Sequence, residues 1–236
     1  VAGLGSDENE PSASGSSRRR RLERRLERRL ENCFLDRRSK PDFRAEIINI
    51  YRLAEENFKA PVPRWLIDYL ADPQGDPILR GRILLSFEPE DLAPSGETAS
   101  VGGMKQGADR SPIEYYLAII GGDAPVSLKK DAVLALSSYP DKGKFLAESQ
   151  LATLEEIIFS GASSPALRRD LVLLLGDYYV YFPDKTKILL EKIYDARSGL
   201  DNISRLFAAD ALNGFRRDQL PLPEVSAAEW EEYYGQ

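Results

Sequence analysis

Three consecutive Arg-Arg-Leu-Glu units run from Arg20 to Glu31, directly after Arg18 and Arg19. A guanidinium presents a planar fork of donors that fits phosphate. Arg18, Arg19, Arg20, Arg21, Arg24, Arg25, Arg28 and Arg29 therefore form a candidate nucleic-acid contact. The interleaved glutamates work against it, because Arg20–Glu23, Arg24–Glu27 and Arg28–Glu31 stand three apart and can pair within one helix. The bland alternative is a solvated charged helix, or an interaction arm that docks through the stripe Leu22, Leu26 and Leu30, which Cys33 and Phe34 extend.

A second basic set lies deeper in the chain: Lys129-Lys130, Arg168-Arg169 and Arg205. These can line one face as an anion- or acid-binding ladder for a protein partner. Alternatively, and more economically, they pair with Asp131, Asp170 and neighbouring segments. Tyrosines concentrate at Tyr115-Tyr116, Tyr178-Tyr179 and Tyr233-Tyr234. Adjacent helical residues point about 100° apart, so one of each pair belongs to a core and the other to a surface. Exposed Tyr suits an interface, and Tyr178 and Tyr179 are the candidates nearest the second basic set.

For catalysis the chain offers little. It has no histidine, which removes every mechanism built on an imidazole base or ligand. Cys33 is the single cysteine, so intrachain disulfides and Cys-rich metal sites are excluded. The loop Gly102-Gly103-Met104-Lys105-Gln106-Gly107 lacks the Gly-Lys-Ser/Thr ending of a phosphate loop. No dinucleotide fingerprint or nucleophile elbow is present. The expectation is a non-enzymatic protein with no cofactor and no metal.

These side chains need elements to hold them. The 236 residues are 42% hydrophobic and 30% charged, which suits a chain with a real core. No apolar run approaches the ~18 residues of a membrane span. The net charge of −6 averages over three different segments. Residues 1–17 carry three acids and no base; 18–40 carry eleven basic and four acidic residues; the remainder is acidic. The first segment cannot bury enough apolar surface to offset ordering and is expected to be disordered. Sparse cysteine suits a reducing, cytoplasmic setting.

From Pro41 onward the pattern is helical, with no two-residue alternation. Ser111-Pro112 and Ser164-Pro165 place a capping hydroxyl before a proline at the first helical position. Ser226 with Glu229 has capping-box spacing and opens a last helix through Trp230. Phe58–Leu66 reads as the corner of a helical hairpin. Residues 88–111 hold Pro89, Pro94, Gly96, Gly102, Gly103 and Gly107 and are expected to form a flexible linker or insertion.

Three segments repeat: 125–138, 165–178 and 200–214. Each has an aliphatic residue (Leu128, Leu167, Ile203), a basic residue two places on (Lys130, Arg169, Arg205), then an apolar stretch. The stretch Leu171–Leu175 is apolar all round, as in a helix covered on both sides. The pattern from Arg205 to Phe215 resembles that of HEAT-type repeats. Pro77–Phe87, with Leu79 and Arg82, looks like a degenerate copy. The resemblance covers about 120–215 and, weakly, 41–90. It implies an all-α fold of stacked helical hairpins forming a short HEAT-like superhelix, with a partner-binding inner face. The expected organisation is a tail (1–17), an Arg-rich helical arm (18–40), a hairpin (41–87), a linker (88–111) and a repeat domain (112–236). The expected function is a protein-interaction scaffold or adaptor, and the alternative is a nucleic-acid-associated protein held by Arg18–Lys40.

Overall fold

The computed structural model describes residues 13–92, 112–139 and 146–235. All regular structure among them is helical: α1 (Ala13–Leu35), α2 (Pro41–Phe58), α3 (Arg64–Ala71), α4 (Pro77–Ser86), α5 (Pro89–Leu92), α6 (Pro112–Gly121), α7 (Val126–Ser138), α8 (Ser149–Phe159), α9 (Pro165–Tyr181), α10 (Pro183–Tyr194), α11 (Asn202–Asn213) and α12 (Ala227–Tyr234). The chain divides into two compact units, Val1–Ile50 and Tyr51–Gln236.

Local chemistry sets the helix starts. The Ser164 hydroxyl accepts from the Leu167 amide at 3.3 Å, with Pro165 opening α9. Asp76 does the same for α4, accepting from the Ile78 amide at 2.9 Å ahead of Pro77. Ser226 and Glu229 close a reciprocal capping box on α12. Each cap satisfies a backbone donor that the first turn leaves without an intrahelical partner. Ser111 and the Gly102–Gly107 loop lie outside the described residues.

In the second unit, helices pair along the chain as α3–α4, α6–α7, α8–α9 and α10–α11. The second helices then pack in chain order, α4 on α7, α7 on α9, α9 on α11. The first helices follow, α6 on α8 and α8 on α10. The core is mainly aliphatic, with Ile83, Leu84, Leu128, Ala132, Leu171 and Leu175 of the second helices and Ile120, Leu154, Ile158 and Leu190 of the first all buried, and Tyr116 and Tyr178 buried among its aromatic members.

Three expectations need correction. Helix α1 starts at Ala13, ahead of the expected arm, so residues 13–17 are helical. The compact units do not divide at 88–111. Residues 89–92 form a helical turn with Leu92 buried, and α4 packs directly on α7 across that segment. The stretch Leu171–Leu175 is not covered all round, because Leu173 is 49% exposed.

The positions that recur along these helices differ by one residue from the expected register in two of the three segments. In α2, α4 and α11 the fourth residue reaches back to a carbonyl at the end of the helix before it. Arg44 Nε donates to the Phe34 carbonyl at 2.6 Å, Arg80 Nε to Leu70 at 2.8 Å, and Arg205 Nε to Tyr194 at 3.1 Å. Terminal carbonyls of a helix lack intrahelical donors and carry the negative end of its dipole, so a cation with a fixed N–H suits them. The equivalent positions in α7 and α9 are Lys129 and Arg168, not Lys130 and Arg169. In α4 the position belongs to Arg80 rather than Arg82. The spacings are 36, 49, 39 and 37 residues from Arg44 to Arg205, the long one spanning 88–111.

Candidate protein-docking face

One residue beyond the carbonyl-binding position, Lys130 and Arg169 stand at matching places in α7 and α9, each followed by an aspartate. Arg169 is 1% exposed, so its charge has to be answered inside the protein. Its Nε donates to Asp201 Oδ1 at 2.9 Å. Nη2 lies 3.7 Å from Glu232, and the guanidinium sits 5.8 Å from the Tyr233 ring centre. Asp201 also caps α11, accepting from the Ser204 amide at 3.0 Å and the Ser204 hydroxyl at 2.8 Å. Burial alone would raise the Asp201 carboxyl. The Ser204 donors and Arg169 outweigh it and hold the group below the ordinary carboxylate value.

Asp131 and Asp170 shift the other way. Burial pushes both carboxyls up, with Lys130 and Arg169 pulling Asp170 partly back. Asp131 lies against the backbone of α4 at Gly81, where no side chain intervenes. Lys129 and Lys130 are half-buried, and neither forms an ion pair among the described residues. Arg168 is half-buried, with its Nε enclosed and lacking a hydrogen-bond partner among them. Arg205 spends its donors on Tyr194 and, at 2.9 Å, on the Asn202 side chain. Arg169 and Arg205 are therefore internal fasteners between consecutive segments, with Asp201 rather than Asp170 as the carboxylate partner.

The two tyrosine candidates separate. Tyr178 is buried, and its hydroxyl donates to Gln150 Oε1 at 2.9 Å, which makes it a core residue rather than a surface one. Tyr179 stacks on Phe215 with ring centres 3.9 Å apart. In the first unit, Arg21, Arg24, Arg25, Arg28 and Arg29 are all exposed on α1, the helix that also holds Arg18, Arg19 and Arg20. Cys33 is a half-buried free thiol. Among the described residues no group of His, Cys, Asp and Glu is arranged to hold a metal ion, and no helix is long and apolar enough to cross a membrane.

The feature that reading the sequence missed lies five residues after the carbonyl-binding position. Leu85, Leu134 and Leu173 occupy the same place in α4, α7 and α9, and are 48%, 54% and 49% exposed. These three helices pack in order, so the exposed leucines stand at one register position on neighbouring helices, in a row set by that register. In α11 the position is Asp210, which is exposed and ends the row with a charge. The signal in the sequence is a basic residue followed five places on by leucine, found from Arg80, Lys129 and Arg168.

Comparison with protein-family models, with curated proteins and with solved structures finds no match to this chain in any of the three.

Proposed function

We propose that this chain is a non-enzymatic protein-interaction scaffold or adaptor, built on a HEAT-like α-solenoid, that docks its partner along Leu85, Leu134 and Leu173. The supporting observation is that row: three leucines at one register position, each about half exposed, on helices that pack side by side. Complete burial of a leucine is worth about 1.5–3 kcal/mol. Covering the exposed half of each would contribute about 1 kcal/mol apiece, which suits a seat for a partner segment rather than a permanent interface. The surrounding charges, exposed Arg82 and half-buried Lys130, Asp170 and Asp177, supply a polar rim. A cytoplasmic setting belongs to the same reading.

Affinity capture from native extract by the full chain, with and without nuclease, tests this against the alternative. A protein partner should survive nuclease and be lost when Leu85, Leu134 and Leu173 are all replaced by serine, with the thermal midpoint little changed. Partners that vanish on nuclease treatment, or that ignore the triple substitution, would move the function to the α1 arginines.

A further inference from the structure

We propose that α1 pairs in parallel with α1 of a second copy of this chain. The argument starts from two unpartnered leucines. Leu22 and Leu26 are 59% and 60% exposed, on a stripe that Leu30 continues. In every unit the residue before the leucine is arginine (Arg21, Arg25, Arg29) and the residue after it is glutamate (Glu23, Glu27, Glu31). At about 100° per residue, the stripe is therefore edged by arginines on one side and by glutamates on the other.

Symmetry then chooses the orientation. A two-fold axis along the helices sets the arginine edge of one copy against the glutamate edge of the other, on both sides of the seam. An antiparallel pair sets arginine against arginine and glutamate against glutamate, which is repulsive. The edge arginines also lack an acidic neighbour along their own helix. No acidic residue stands three or four places from Arg21, Arg25 or Arg29, whereas Arg24 and Arg28 have Glu27 and Glu31. A phosphate backbone would satisfy those arginines, but it would leave both leucines in water and bring the glutamates close to phosphate charge. A second copy covers the leucines and sets carboxylates beside the edge arginines. With so few leucines in the seam the pair is a reversible one, sensitive to concentration.

The test is the mass of the full chain in solution, by sedimentation or light scattering over a wide concentration range. Mass should rise towards double as concentration increases. The Leu22→Glu/Leu26→Glu variant should stay monomeric with the same helical content and melting, because both side chains are exposed in the single chain. For orientation, Leu22→Cys in a Cys33→Ser background should form a disulfide-linked dimer on mild oxidation. A parallel pair sets position 22 against its own mate, while an antiparallel one sets it near Leu30. A chain that is monomeric at every concentration overturns the proposal. So does a dimer indifferent to the two leucines, a dimer that Leu22→Cys fails to link, or a monomer whose edge arginines bind nucleic acid.

Discussion

The carboxylate of Asp131 on α7 occupies the space that a side chain on Gly81 of α4 would need. Glycine in the middle of a helix costs about 1 kcal/mol relative to alanine, so Gly81→Ala should by propensity stabilise the protein. The clash reverses the sign, since a Cβ there would overlap Asp131 Oδ2. Overpacking of this kind costs about 1–3 kcal/mol. Urea unfolding should show Gly81→Ala destabilised and Gly81→Ala/Asp131→Ala restored to wild type or better. Equal destabilisation with and without Asp131 would place the cost elsewhere.

The arginine that reaches a helix-end carbonyl should matter most where it is buried. Arg80 is 7% exposed and donates to the Leu70 carbonyl. Replacing it with methionine keeps the aliphatic stem and removes the donor, leaving a buried acceptor unsatisfied at a cost of about 1–3 kcal/mol. Arg82, two residues on in the same helix but exposed, should tolerate the same change within about 0.5 kcal/mol. A chemical-denaturation midpoint for each variant decides the comparison.

Arg80 also shows what the sequence could and could not reveal. The second helix α9 and the last helix α12 are legible, because Ser164-Pro165 and the Ser226 and Glu229 pair carry their caps openly. The register of the second helices is not. Lys129-Lys130 and Arg168-Arg169 are basic pairs, so two alignments differing by one residue fit equally well, and only the start of each helix, which makes Lys129 and Arg168 its fourth residue, separates them. Arg44 and Arg80 sit in helices with weaker apolar runs, so their copies were lost or misplaced at Arg82. The leucine row was hidden for a related reason. Leu173 lies within Leu171–Leu175, and composition cannot tell which leucine of such a run faces water. Asp201 was overlooked as the partner of Arg169 because the two are 32 residues apart and only the packing of α9 on α11 joins them.

Asp201, set against Asp131 and Asp170, predicts a pH response of two opposing signs. Asp201 is held below its ordinary carboxylate value, so its contribution is complete above the unfolded value of about 3.9 and is lost as pH falls below it. Asp131 and Asp170 are raised by burial, so in the folded state they take up protons while the unfolded chain is still ionised. Their share of stability therefore increases as pH falls through their folded values towards about 3.9. The stability profile should show a shoulder on the acid side of neutrality before the final fall. Asp170→Asn should flatten the shoulder, and Asp201→Asn should remove part of the fall. An unaltered profile in Asp170→Asn would show that its carboxyl does not titrate differently on folding.

Helix α12 should be the most easily opened element of the second unit. It buries none of its residues; Glu232 and Tyr233 beside Arg169, the Phe207–Tyr233 edge contact at 5.8 Å and Glu229 bonded to Asn202 are among the ties that hold it, and the Ser226–Glu229 capping box closes its first turn. Local opening free energy follows buried apolar contact, so α12 opens without the core. Ser226→Ala removes one half of the box, at a cost of about 1 kcal/mol that falls on this helix alone. Hydrogen exchange at Ala227–Tyr234 should then accelerate by about fivefold, while amides of α9 and the global melting midpoint stay where they were. If the midpoint falls with the cap, α12 unfolds together with the core, and its few contacts carry more cooperative weight than their burial implies.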